Sequence, residues 1–195
     1  LSSAPRVFVQ LMRPVAIIIT RTIHTIFIIY IDDIIANLGT DTGRWERIQK
    51  IVMSFGFVMA KDKQQGPGTE IDGLGLHIDL KRMIIKLTDQ RREKLKKALA
   101  DILGKEKTLA VEVARVAGLL TASDLGLRYG RRLAYPFYDV IREVASDELH
   151  TTTVEVSARM KIAAKLTLER WDELEGKEIH QQLPEKILAS DAMPW

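Results

Sequence analysis

The most apolar stretch of the chain, Val15 to Ile35, sets the first limit on its fold. Arg21, His24, Asp32 and Asp33 interrupt it, so it falls short of the roughly 20 uninterrupted apolar residues that a membrane span needs. Burial in a protein core is the other way to use such a run. Thr22 to Tyr30 is rich in Ile, Phe and Thr, which predicts a strand covered on both faces. Asp32-Asp33 breaks the run and Ile34-Ile35-Ala36 resumes it. That pattern predicts a hairpin with carboxylates at its tip.

The surrounding pattern predicts an α+β fold. Ser2-Ser3-Ala4-Pro5 reads as a capped helix start, with Val7, Phe8, Leu11, Met12 and Val15 recurring at three- and four-residue steps. Asp41 to Phe55 reads as a helix with Trp45, Ile48, Ile51, Val52 and Phe55 on one face. Gly56 ends it, Gly56 to Ala60 reads as strand, and Lys61 to Gly68 as a polar loop. Ile71 to Leu87 alternates as a second hairpin, turning near Leu80-Lys81-Arg82. After Leu87 the pattern is helical. Thr88 or Asp89 caps a helix to Leu103 that Gly104 ends, and Thr108 caps another to Leu120. Asp124 to Val144 is a third helical region, broken by Gly126, Gly130 and Pro136. Val154 to Leu174 reads as one long amphipathic helix ending at Gly176, and Lys186 to Asp191 as a last strand.

Composition removes several function classes. The 195 residues include no cysteine, which excludes disulfides, thiolate zinc sites and cysteine nucleophiles. No signal-peptide layout is present at the start. The chain opens on Leu1 and closes on Trp195, and both ends read as cut from something longer. The net charge of +3 averages over an uneven surface. Lys81, Arg82, Lys86, Arg91, Arg92, Lys94, Lys96 and Lys97 form a basic stripe, while Glu169 to Glu178 is acidic. His24, His77, His150 and His180 lack metal-ligand spacing, and His24 reads as a core residue on an apolar strand. Thr121, Ser123 and Asp124 read as a helix cap.

Tyr30-Ile31-Asp32-Asp33 carries the strongest chemical signal. Adjacent carboxylates ending an apolar strand are costly unless solvated or neutralised by a cation. Oxygen-rich donors of this kind suit Mg²⁺ or Mn²⁺, and a metal pair can stabilise both oxygens of a phosphoryl transfer. A solvated hairpin turn is the plainer use of the same pair. Side chains of neighbouring strand residues also point to opposite faces, so equivalent ligation requires turn geometry.

Four segments in order resemble reverse-transcriptase palm motifs: Leu1 to Phe8, Tyr30 to Asp33, Gly56 to Lys63 and Gly73 to Asp79. The first is similar to the motif under the template base and incoming nucleotide, the second to the Tyr-x-Asp-Asp catalytic loop. The third resembles the following motif with its lysine, the fourth the primer grip. Lys105 to Arg131 resembles the thumb of gypsy-like and tyrosine-recombinase retroelements, and Ala189 to Ala192 the opening strand of their ribonuclease H domain.

The resemblance implies a partial polymerase palm over residues 1–87, an antiparallel sheet with packed helices. A helical thumb follows over 88–145, then a connection over 146–185 and the first strand of ribonuclease H over 186–195. It implies Mg²⁺ or Mn²⁺ on Asp32 and Asp33, with Lys63 as proton donor to the leaving pyrophosphate. Ser3, Ala4, Pro5 and Tyr30 would shape the nucleotide and template site. Gly73, Leu74 and Gly75 would contact the primer, and Lys81, Arg82, Arg91, Arg92 and Lys94 the duplex phosphates. Asp191 would be a ribonuclease H metal ligand without its partners. Expected partners are an RNA or DNA template with primer, a deoxynucleoside triphosphate and the rest of a polyprotein. The expected setting is intracellular, in cytoplasm or nucleus, without a membrane. The family's further catalytic aspartate and fingers precede the Leu1 motif, Gly73 stands where relatives carry a bulky residue, and Ala60 where they carry asparagine. Two carboxylates from one loop under-ligate a metal pair, so the chain alone is expected not to polymerise. A non-catalytic module of the same ancestry, binding nucleic acid or protein, is the alternative. An unrelated phosphotransferase would need a phosphate loop that the sequence lacks.

Overall fold

The computed structural model describes residues 4–25, 27–30, 33–60, 62 and 64–179, with 4, 5 and 27 described by backbone alone. The expected serine cap at Ser2-Ser3 and the expected strand at Lys186 to Asp191 lie outside these residues. The chain is α+β, with helices packed on small antiparallel sheets.

The first helix, α1 (Ala4–Ile23), is longer than its sequence pattern suggested. Met12, Val15, Ile19 and Ile23 form a continuous buried stripe at steps of three and four. Burying such side chains is worth about 1.5–3 kcal/mol each, which outweighs the β propensity of Thr22 and Ile23. The predicted strand over Thr22 to Tyr30 is therefore shortened to β1 (Phe27–Tyr30). His24 makes the break, with φ at +51° and its amide still donating to Thr20 O at 3.1 Å. It is exposed at a helix end, contrary to the core position expected of it.

β1 pairs antiparallel with β2 (Asp33–Ala36), from Phe27↔Ala36 to Tyr30↔Asp33. A helix follows, α2 (Gly43–Ser54), and buries Ile48 and Val52 against α1. The expected strand at 56–60 does not form, and Val58 is 96% exposed. Phe57 instead packs edge-on against Phe8, ring centres 5.8 Å apart.

The second half of the chain builds a separate core. The predicted second hairpin is a three-stranded meander: β3 (Glu70–Gly73), β4 (Leu76–Asp79) and β5 (Ile84–Leu87). The extra turn falls at Leu74-Gly75, within a stretch whose apolar alternation runs on without a gap. The helix α3 (Asp89–Leu103) follows expectation, with Thr88 Oγ1 accepting from the Arg91 amide and Gly104 closing it.

Thr108 does not cap the next helix, α4 (Ala110–Ala122). It sits in β6 (Lys107–Leu109), which pairs with β7 (Thr153–Glu155). That pairing also removes the start of the predicted long helix at Val154. Ser157 caps a shorter one instead, α6 (Ala158–Glu169), and α7 (Trp171–Leu174) buries Trp171 and Leu174. Between α4 and β7 in sequence, α5 (Gly130–Ile141) carries Pro136 through its interior rather than breaking there. A final short strand, β8 (Lys177–Glu178), joins the free edge of β5. Leu76 and Leu87 of the meander share one core with Leu95, Leu99, Leu120, Phe137, Met160 and Trp171 of the helices.

Candidate functional site

The acidic hairpin is built by register. Tyr30 pairs with Asp33, and the two residues linking them are Ile31 and Asp32. Asp33 opens β2 with its side chain exposed, and Tyr30 is 59% exposed. Asp32, Lys63, Ser3 and Asp191 lie outside the described residues, as do the side chains of Ala4 and Pro5, whose backbone forms the first turn of α1. An exposed carboxylate at an open strand end is a hard oxygen donor, which fits Mg²⁺ or Mn²⁺. Among the described residues no three His, Asp or Glu side chains converge to hold a metal.

The meander turn lies against this hairpin. A Cβ on Gly73 would stand 2.9 Å from Ile35 Cδ1, two residues beyond Asp33. Leu74 and Gly75 have φ of +56° and +74°, the left-handed pair that a two-residue hairpin turn requires. Gly75 has a second reason to be glycine. A Cβ there would meet the Arg91 guanidinium at 2.5 Å. Both glycines thus accommodate protein side chains in this structure.

The basic stripe divides into two groups. Lys81, Arg82, Lys86, Lys94 and Lys97 are exposed. Arg91 and Arg92 are turned to internal partners. Arg91 Nη1 donates to Leu74 O at 2.9 Å and Ala122 O at 3.2 Å. Arg92 donates to Glu175 Oε1 at 2.8 Å and Asp89 Oδ1 at 2.8 Å. The Glu175 carboxylate beside it raises the Arg92 pKa, and its other oxygen accepts from Trp171 Nε1 at 3.0 Å. Lys96 stands over the same Trp171 ring at 4.7 Å.

No known protein family, curated protein or solved structure matches this chain.

Asp79 organises the second turn of the meander. Its Oδ1 accepts the amides of Lys81 and Arg82, each at 2.9 Å. The Arg82 amide does most to hold its carboxyl below the ordinary value, against a burial effect of opposite sign. This turn presents Lys81 and Arg82 to solvent.

Several contacts have no local sequence signal. His77 Nδ1 lies 2.6 Å from Asp72 Oδ1, and these two line a cleft of about 210 Å³ with Lys86, Thr88, Asp89 and Arg92. The Gln65 side chain exchanges two hydrogen bonds of 2.9 Å with the Asp72 backbone, imitating a strand partner along β3. Asp124 accepts the Arg131 amide at 3.1 Å in the first turn of α5, but Tyr129 is the residue that precedes that helix. Thr121 lies inside α4 with its Oγ1 3.1 Å from Tyr138 Oη, and Ser123 follows its end, so the trio does not form the expected cap. A larger apolar groove of about 520 Å³ separates the acidic hairpin from the meander, lined by Ile28, Ile34, Ile35, Trp45, Ile71 and Ile78. No helix among the described residues is long and apolar enough to cross a membrane.

Proposed function

We propose that the chain is part of an RNA-directed DNA polymerase of the gypsy-like or tyrosine-recombinase retroelement kind, comprising part of the palm, the thumb, the connection and the start of ribonuclease H. One observation carries the reading: Tyr30 pairs with Asp33 where β1 gives way to β2, and Ile35 of β2 packs against Gly73 of the Gly73-Leu74-Gly75 turn. A carboxylate-bearing strand packed beside a primer-contacting turn is what templated extension needs.

In this reading the primer 3′-hydroxyl gives up its proton to water and its oxygen attacks the α-phosphorus of a deoxynucleoside triphosphate. The new O–P bond forms as the bond to the β-phosphate oxygen breaks and pyrophosphate leaves. Mg²⁺ held by Asp32 and Asp33 would neutralise charge at the reacting phosphate. Lys63 would give the leaving group its proton. Lys81, Arg82 and Lys94 would hold duplex phosphates without reading sequence.

Three measurements test this. Fluorescence anisotropy with a recessed DNA primer–template should show binding that weakens steeply with salt. Binding independent of ionic strength would count against it. With primer–template and nucleotide present, Mn²⁺ should broaden the NMR signals of the β1–β2 hairpin, and Asp32→Asn should abolish the effect. Binding without any metal effect at the hairpin would favour the non-catalytic module. Two carboxylates alone leave a metal pair under-ligated, so primer extension by the isolated chain is expected to be negligible; robust extension abolished by Asp32→Asn would overturn that.

A further inference from the structure

We propose that Arg91 is a positioning residue that fastens the Leu74-Gly75 turn to the end of α4, so that the turn moves with the helices rather than with the acidic hairpin. The primer half of this proposal rests on the polymerase reading above; the latch itself does not.

Both hydrogen bonds described for the Arg91 side chain go to backbone carbonyls, Leu74 O and Ala122 O. Ala122 is the last residue of α4, where helix carbonyls lack intrahelical donors and a cation is favoured. The guanidinium also lies against the Gly75 α-carbon, leaving no room for a side chain there. Gly75 O in turn accepts the Thr88 amide at 3.1 Å, and Thr88 Oγ1 caps α3 at the Arg91 amide. The turn, the start of α3 and the end of α4 therefore meet at one side chain. Leu76 and Leu87, flanking this node, are buried in the helical core. Toward the hairpin, the close approach is Gly73 to Ile35. A primer end resting on the turn would have its distance from Asp33 set through Arg91.

An arginine serving duplex phosphates and one serving as a latch respond differently to lysine. Lysine keeps the charge, but its compact ammonium cannot lie flat over Gly75 and reach both carbonyls as a planar fork does. The test uses the full chain and a DNA primer–template carrying 4-thiothymidine at the primer terminus. After irradiation, the cross-linked peptide is identified by mass spectrometry. Arg91→Lys and Arg91→Ala should each lower cross-linking at residues 73–76 by about tenfold or more, since misplacement by about 1 Å has effects of that order. Duplex affinity should change by less than about twofold, because phosphate contacts elsewhere supply it. Amide exchange over residues 73–76 should accelerate in both variants. Gly75→Ala, which displaces the guanidinium but keeps the charge, should reproduce the loss and serves if Arg91→Ala unfolds the chain.

Wild-type behaviour of Arg91→Lys, with weaker binding and a shallower salt slope in Arg91→Ala, would make Arg91 a phosphate contact and overturn the proposal. Unchanged exchange at 73–76 in all three variants would overturn the latch. A chain that neither binds duplex nor cross-links at the turn would overturn the polymerase reading and the primer half alone, with exchange still deciding the latch.

Discussion

The two halves of the molecule solve the burial problem to different degrees. The first, α1 with the acidic hairpin and α2, buries Met12, Val15, Ile19, Ile23, Ile48 and Val52. The same helix leaves Val7, Val9, Leu11, Ile17 and Ile18 exposed. Among the described residues the second half buries a larger set, including Leu95, Leu99, Leu120, Leu127, Phe137, Met160 and Trp171. Its elements also exchange specific polar bonds, such as Arg92 of α3 with Glu175 just beyond α7, across 83 residues of sequence. Local stability follows buried apolar contact, so the half bearing Asp33 is the softer of the two. Asp33 thus sits on the half with less buried apolar contact, and Lys81, Arg82 and Lys94 on the half with more.

The sharpest way to break this comparison is a pair of core truncations. Phe137→Ala should cost about 3–5 kcal/mol and Ile19→Ala about 2–5 kcal/mol. Their reach should differ. Ile19→Ala should raise amide exchange through α1, the hairpin and α2 and leave α3 to α6 protected, whereas Phe137→Ala should shift urea unfolding of the helical half. Equal acceleration everywhere in both variants would mean one cooperative core.

A smaller effect is expected at the polar rivet. Glu175→Ala strips Arg92 and Trp171 of a partner they share, at a cost of about 1–3 kcal/mol. The urea midpoint of the helical half measures it, and a midpoint within error of wild type would make the contact incidental.

The smallest effect is pH-dependent. The folded-state pKa of Asp79 is lowered from 3.8, so its contribution is fully present above that value and lost as pH falls through the lower folded one. Urea midpoints of the second half, followed downward from pH about 5, should decline with a component that Asp79→Asn removes. Identical acid profiles would show that the β4–β5 turn does not depend on this carboxylate.

Much of the architecture was legible where its cause is local. The bounds of α3 follow from Thr88 and Gly104, and the hairpin from apolar residues on both sides of an acidic pair. Helix α2 follows from one apolar face. The misreadings share a different cause. Ile23 belongs to the helix because Met12, Val15 and Ile19 need its company in a core. Thr108 and Val154 are strand residues because they meet each other, 46 positions apart. At the candidate site the acidic tip, the turn glycines and the exposed Lys81, Arg82 and Lys94 could be picked out by type and spacing. That Arg91 and Arg92 face inward could not, since nothing near them in sequence distinguishes them from their basic neighbours.

By itself, then, the sequence determined which segments must be buried, where several helices start and stop, and that two adjacent carboxylates stand at a strand junction. Those are consequences of short-range propensity and of apolar periodicity. Only the tertiary structure decided which charges are free for a partner and which are spent on the fold. An arginine is available or committed according to what lies within hydrogen-bond reach, and for Arg91 that is a carbonyl 17 residues before it and another 31 after.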